Sequence, residues 1–241
     1  MFPEWTTLHT YILELEQKGL VTRTFRRLDP DRQQAVVAAI LDEAVAKGPN
    51  ALNIKEVAGR AGVSVGSLYQ YFGSRDGLIG FAVELCVRTM TGLIDSMGPY
   101  IPAMSFRDAL EAYMSVGIEY SQPQAGLIQF FGRAAYTGDP DLAEQVVRPI
   151  AVAAFSIIQA LFAQAAERGE IRQDVDIEAT ERVVHALTIA VADSQLLPYL
   201  NTYFQVTGGD VTPERAIKAT VDLVLYGVSP RPDGAGPGQG E

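Results

Sequence analysis

Apolar residues recur three and four positions apart along most of the chain, while alternating apolar and polar runs bounded by turn signals are scarce, so the pattern predicts an all-α fold. Trp5, Leu8, Ile12 and Leu15 form the stripe of a first helix that fades near Gly19, ahead of the basic run Arg23, Arg26 and Arg27. Asp29 then offers an N-cap with Pro30 at the first helical position. Val37, Ile40, Leu41 and Ala44 give the buried face of a second helix, closed by Lys47-Gly48-Pro49. Two short helices follow. Ile54, Val57, Ala58 and Ala61 repeat at helical spacing up to Gly62; Ser64 can cap the next helix, where Leu68 and Phe72 lie four apart, and Gly73-Ser74 ends it. Longer helices are predicted over 74–97, 105–121, 124–137, 139–168, 176–198 and 212–227, with Pro149 expected to kink or break the fourth of these.

The chain has 241 residues, 48% of them hydrophobic and 20% charged, a balance that suits one or two folded domains and excludes a disordered or fibrous protein. Its single cysteine, Cys86, excludes an internal disulfide and a cysteine-built zinc site, and with only two histidines no metal or other cofactor is expected. No basic-then-apolar leader occurs near the N-terminus, so the expected address is the cytoplasm. The most membrane-like stretch, Pro149 to Ala166, is interrupted by Ser156, Gln159 and Gln164 and is rich in alanine, which favours a buried helix over a spanning one. The net charge of −10 argues against nucleic acid only until its distribution is followed. Residues 18–76 hold nine Lys or Arg against six Asp or Glu, whereas 77–241 hold ten against twenty.

The basic segment contains two short helices joined by a glycine turn and preceded by a longer one, the arrangement of a helix-turn-helix. Packing accounts for Ile54, Val57, Ala58, Ala61, Leu68 and Phe72, which leaves Lys55, Ser64, Val65, Gly66, Ser67, Tyr69, Gln70, Tyr71 and Arg75 to face elsewhere. Small residues at the start of the second short helix permit close approach to a major groove, where Val65 can meet a thymine methyl and a serine can bond a base edge or phosphate. Tyr69 and Tyr71 carry hydroxyls suited to the groove walls, and Arg75 opens the next helix, where charge and free N–H groups both favour phosphate.

The linked pattern Ile54, Val57-Ala58, Ala61-Gly62-Val63-Ser64, Gly66, Leu68-Tyr69, Tyr71-Phe72, Ser74, a base at 75 and Leu78 resembles the DNA-binding domain of the tetracycline-repressor (TetR) family of bacterial regulators. The resemblance covers roughly Asp31 to Leu78. It implies base-edge contacts by Lys55, Val65, Gly66, Ser67 and Gln70 and phosphate contacts by Ser64, Tyr69, Tyr71 and Arg75. Asn53 stands where the family commonly has Thr or Ser, and Arg75 where Lys is more usual. The same stretch spells G-x-S-x-G, the nucleophile elbow of a serine hydrolase, with Asp174, Asp176 and His185 downstream; that reading requires a strand before Ser64, where the spacing is helical.

The expected organisation is an N-terminal extension helix and basic linker (1–28), a helix-turn-helix domain (29–76), a larger helical ligand-binding and dimerisation domain (77–228) and a disordered tail (229–241). Residues 176–197 are apolar over more than half a helical circumference, and with Ala216, Ile217, Val221, Leu223, Val224 and Leu225 they suit a two-helix surface that pairs with a second copy. Leu93, Met97, Tyr113, Phe130, Arg133, Phe155 and Phe162, with Phe131 and Tyr136, supply apolar bulk and an orienting cation of the kind a small-molecule pocket uses. His185 shares a helix side with Glu178, Glu181 and Arg182 and is expected at the rim or surface. The function expected from all of this is a dimeric, ligand-responsive repressor. It would be released from a palindromic double-stranded DNA operator by an apolar or amphipathic effector. A constitutive helical DNA-binding or scaffold protein is the alternative. Arg23, Arg26 and Arg27 can reach a neighbouring phosphate or minor groove, or simply form a solvated face.

Overall fold

A computed structural model describes residues 5–119 and 121–230, and among them the fold is helical, with one isolated bridge between Gly208 and Val211 in place of any strand. The helices are α1 (Trp5–Gln17), α2 (Arg23–Arg26), α3 (Pro30–Lys47), α4 (Ile54–Ala61), α5 (Val65–Phe72), α6 (Arg75–Met97), α7 (Phe106–Glu119), α8 (Ser121–Tyr136), a single turn α9 (Pro140–Leu142), α10 (Arg148–Glu167), α11 (Ile177–Leu196), α12 (Pro198–Phe204) and α13 (Pro213–Val228). The tail from 231 onward lies outside the described residues, as does the expectation of its disorder.

The caps expected at Asp29 and Ser64 are formed, the Asp29 side chain accepting from Arg32 N–H and Ser64 from Ser67 N–H, and Asn53 and Ser74 cap α4 and α6 in the same way, accepting from Lys55 N–H and Gly77 N–H. Two short helices went unforeseen. The four-residue α2 is too brief to show periodicity, and α12 starts at Pro198, whose ring stops α11 from continuing. The helix expected over 139–168 is divided: α9 passes into a wide π turn at Ala143–Val147, where Arg148 N–H bonds back five residues to the carbonyl of Ala143, before α10 begins. Pro149 has no N–H to give and in a regular helix its ring would crowd the carbonyl four residues earlier, and the widened turn falls at that carbonyl.

The chain divides into two compact units. The first takes residues 5–95 together with 121–153, and the second takes 96–119 together with 154–230. In the first, α8 packs along α3, and the approach is close: a side chain at Gly126 would begin 3.5 Å from Leu41. Cys86 on α6 is buried and its thiol points at the carbonyl of Leu127 on α8; burial pushes that thiol far up, leaving it protonated and inert. In the second, Phe106 of α7 meets Phe162 of α10 edge to face, and Arg107 of α7 bridges to Asp222 of α13 at 2.7 Å. On helix α10, Ile150, Ile157, Ile158, Leu161, Phe162 and Ala165 are buried in protein, while Val152 is largely exposed. By length and apolar content alone, the segments Pro140–Glu167 and Arg75–Tyr100 are long enough to cross a membrane.

Candidate nucleic-acid interface

Helix α3 supplies the platform, with Val36, Val37, Ile40, Leu41 and Ala44 buried on one face. Against it lies α4, held by the buried Val57, Ala58 and Ala61 and by an ion pair between Arg60 and the fully buried Glu43, 3.3 Å apart. Gly62 ends α4 at φ +65°, the left-handed region that glycine enters without a Cβ penalty, and Val63 N–H reaches back to the carbonyl of Ala58. The chain thereby turns sharply into the Ser64 cap of α5. This is helix, turn and helix, and no strand precedes Ser64. Its hydroxyl is engaged at the cap and lies 2.8 Å from that of Ser67, an arrangement unlike a nucleophile elbow.

Helix α5 buries Leu68, Tyr71 and Phe72 and turns its other side outward. Ser64, Gly66, Tyr69 and Gln70 are exposed, with Val65 and Ser67 half-buried at the entry, and Lys55 is exposed on α4. Seven of the nine residues singled out in the sequence are therefore accessible on α4, α5 and the turn between them, with small side chains at the leading end of α5. The other two are placed differently. Tyr71 was expected among the outward-facing residues, but its ring is buried between Phe25 and Phe72, with ring centres 5.7 and 6.3 Å away. Its position three residues after Leu68 puts it on the core face, a spacing visible in the sequence. Arg75 is half-buried, and its guanidinium donates to the backbone carbonyls of Asn50 and Leu52, tying the α3–α4 connection to the start of α6.

What lies under α5 comes largely from the N-terminal extension. Phe25 is fully buried in a cluster with Tyr71, Phe72 and Phe81, the last two rings centred 5.1 and 5.7 Å from it. Thr22 donates its N–H to the Tyr71 carbonyl at 2.8 Å and its hydroxyl to the Gln70 carbonyl at 2.7 Å, so it satisfies two carbonyls at the end of α5 that helix geometry leaves open. The extension helix is fastened to α6 by the pairs Glu14–Arg88 and Lys18–Glu84, and Arg26 is paired with Glu16. Of the three arginines in the basic run, Arg26 is thus committed within the protein. Gly77 completes the assembly: a Cβ there would begin 2.1 Å from the Phe72 carbonyl, so only glycine lets the first turn of α6 abut the last turn of α5.

The residues considered for a ligand pocket divide between the two units. Leu93, Phe130 and Arg133 fold with the first, Met97, Tyr113, Phe155 and Phe162 with the second. Phe130 and Phe162 are completely buried. The Tyr113 hydroxyl lies 3.4 Å from the carbonyl of Ala154, and burial raises its pKa to about 12. The Phe155 ring lies against that of His185 with centres 5.2 Å apart and planes tilted by 51°, and the guanidinium of Arg182 lies over the Phe155 ring, 5.4 Å from its centre. His185 is half-buried, and the burial lowers its pKa. Sequence spacing gave no sign of this, because the covering ring belongs to another helix.

A helix-turn-helix presented on a wholly helical scaffold defines the class of helical helix-turn-helix proteins. Residues 36–80 match the family model of the bacterial regulatory proteins of the tetR family. The HTH-type transcriptional repressor Rv3405c of Mycobacterium tuberculosis is 34% identical over 80 residues, a match spanning 32% of this chain and 43% of that protein, so the chain spans less than half the length of this relative. The fold is similar to a TetR family transcriptional regulator from Chloroflexus aurantiacus, with a TM-score of 0.62 at 18% identity, covering 88% of this chain and 99% of the other. It is also similar to the transcriptional regulator FadR of Bacillus subtilis, solved in complex with stearoyl-CoA, with a TM-score of 0.58 at 15% identity over 80% of this chain and 98% of the other.

Proposed function

We propose that the protein is a cytoplasmic, dimeric, ligand-responsive transcriptional repressor that binds a palindromic DNA operator through residues 29–76 and senses its effector and pairs with itself through 77–228. The observation that carries this reading is the outward face of α5. It has small residues at the leading end, with Tyr69 and Gln70 further along, on a helix fixed from below. Lys55, Val65, Gly66, Ser67 and Gln70 are the base-edge contacts, and Ser64 and Tyr69 the phosphate contacts. Tyr71 and Arg75 serve the same surface mainly by holding its underside and its flank.

Pairing rests on α11 and α13, which pack on one another and leave Val183, Leu223 and Tyr226 exposed by 60%, 64% and 89%. Apolar side chains so uncovered on neighbouring helices are what an isologous two-fold interface buries. The effector is apolar or amphipathic, the chemistry suited to the apolar side chains each unit carries, Leu93 and Phe130 in the first, Met97, Tyr113, Phe155 and Phe162 in the second, with Arg133 in the first unit as a group for a carboxylate. The stearoyl-CoA found in the similarly folded FadR is a member of that chemical class. Effector binding acts by preferring the conformation that does not fit DNA. A preference of about a hundredfold, about 2.7 kcal/mol, releases a marginally occupied operator. The displacement reaches α5 through α6, whose first turn touches the Phe72 carbonyl at Gly77.

Footprinting on the DNA upstream of the chain's own coding sequence tests the reading. Protection that vanishes in Ser67→Ala/Gln70→Ala supports it; equal retention of upstream and unrelated DNA by both proteins overturns sequence-specific recognition. Stearoyl-CoA and shorter acyl-CoAs, tested for release of the footprint, address the effector.

A further inference from the structure

The proposed contacts on α4 and α5 leave unexplained why the chain places a basic extension against the recognition helix. Three arginines lie in a segment of five residues, and the structure sorts them. Arg26 is half-buried and paired with Glu16. Arg23 and Arg27 are exposed, four residues apart on α2 and its C-cap, and their side chains pair with nothing among the described residues. The acids nearest in sequence are Asp29, which caps α3, and the exposed Asp31.

Their position is set from both sides. Thr22, immediately before Arg23, bonds the carbonyls of Gln70 and Tyr71. Phe25 fills the core below α5, and the amide of the buried Gln33 donates to the carbonyls of Phe25 and Arg26 at 2.8 and 2.9 Å, closing α2 onto α3. The backbone that carries the two unpaired arginines is thereby fixed beside the last turn of the helix whose outward face carries Gln70. A helix lying in a major groove has the sugar-phosphate strands at its flanks. Cations fixed at its C-terminal end meet phosphate oxygens, the acceptor that guanidinium binds best.

We propose that the extension is a second DNA-contacting element, a clamp in which Arg23 and Arg27 grip the phosphate backbone next to the base pairs read by α5. It adds affinity without sequence preference, and Thr22 and Phe25 set its register. This rests on the DNA-binding reading above and extends the contact surface beyond the helix-turn-helix.

The test compares the full-length parent, Arg23→Ala/Arg27→Ala and Arg23→Lys/Arg27→Lys by fluorescence anisotropy over a salt series. Two duplexes are used, one carrying the upstream DNA and one of unrelated sequence. Each phosphate neutralised contributes about 0.9 to the steepness of log K against log salt, so the alanine variant loses about 2 in slope for each protomer engaged. At moderate salt it also loses about tenfold or more in affinity for both duplexes alike, with their ratio preserved. The lysine variant keeps most of the slope, because the charge remains. Thermal unfolding is unchanged in both variants, which separates lost contact from lost fold. An unaltered slope in the alanine variant, with the parent binding steeply, overturns the clamp and leaves the α5 reading standing. A parent that binds neither duplex overturns both.

Discussion

The outward face of α5 and the outward face of α11 with α13 are both uncovered, yet they are built in opposite ways. On α5 the exposed groups are small, hydroxylic or amidic, and the helix beneath is over-determined: Ser64 caps its start, Thr22 its end, and Phe25, Phe72 and Phe81 fill the space below. On α11 and α13 the exposed groups include Val183, Leu187, Ile189, Leu223 and Tyr226, and the helices are pinned by ordinary core contacts through Val184, Val221 and Val224. A surface that reads base pairs must present polar groups in fixed positions. A surface that meets its own copy needs apolar area and gains its order on association.

Breaking the foundation of α5 without touching its contact residues gives the largest effect. Phe25→Ala removes a fully buried ring and should cost about 3–5 kcal/mol in denaturant unfolding, with DNA binding lost alongside. Recovery of full stability would mean that the extension is not part of the recognition unit. The opposing surface is broken by Leu223→Glu/Tyr226→Glu. Both side chains are largely uncovered in the single chain, so the fold survives. Sedimentation should show a monomer, and operator affinity should fall by about a hundredfold or more.

Smaller effects sharpen the contrast. Gly77→Ala forces the start of α6 away from the Phe72 carbonyl, at an expected cost of about 1–3 kcal/mol, and should weaken DNA binding more than it weakens dimerisation. Arg60→Ala leaves the buried Glu43 without its partner; because Arg60 is itself half-exposed, we expect only about 1–2 kcal/mol. The smallest effect lies in the second unit. Burial lowers the His185 pKa below its unfolded value of about 6.5, so unfolding takes up a proton. Stability is full above about pH 6.5 and declines as pH falls below it. His185→Gln should flatten the fall in melting temperature between about pH 7 and 5.5, and an unchanged profile would assign that fall to other groups.

Local signals carried most of the first unit. Asp29-Pro30, Gly62 and Ser64 act through atoms within a few residues of themselves, and the buried positions on α3, α4 and α5 follow the helical period, so they can be read from spacing. Tyr71 was also legible, three residues after Leu68, but a tyrosine in a suspected DNA-binding helix invites an outward reading. Thr22, Phe25 and Gly77 carried no such signal. Thr22 and Phe25 depend on partners about fifty residues away and Gly126 on Leu41 across an even longer stretch of chain, while Gly77 meets Phe72, five residues before it, only because the backbone turns between α5 and α6. For the same reason the side chains considered for an effector site could be collected by type but not assembled by spacing, since Phe155 owes its environment to His185 and Arg182 on another helix.

Hydroxyl-radical footprinting of the upstream DNA, with the protein-to-DNA ratio measured on the same complex, tests the central claim most directly. Two protomers should protect two symmetric patches, separated by about one helical turn of about 10 base pairs or a multiple of it, and Gln70→Ala should erase both together. A complex of one protomer, or a single patch without a two-fold partner, contradicts a recognition helix presented twice by a paired molecule.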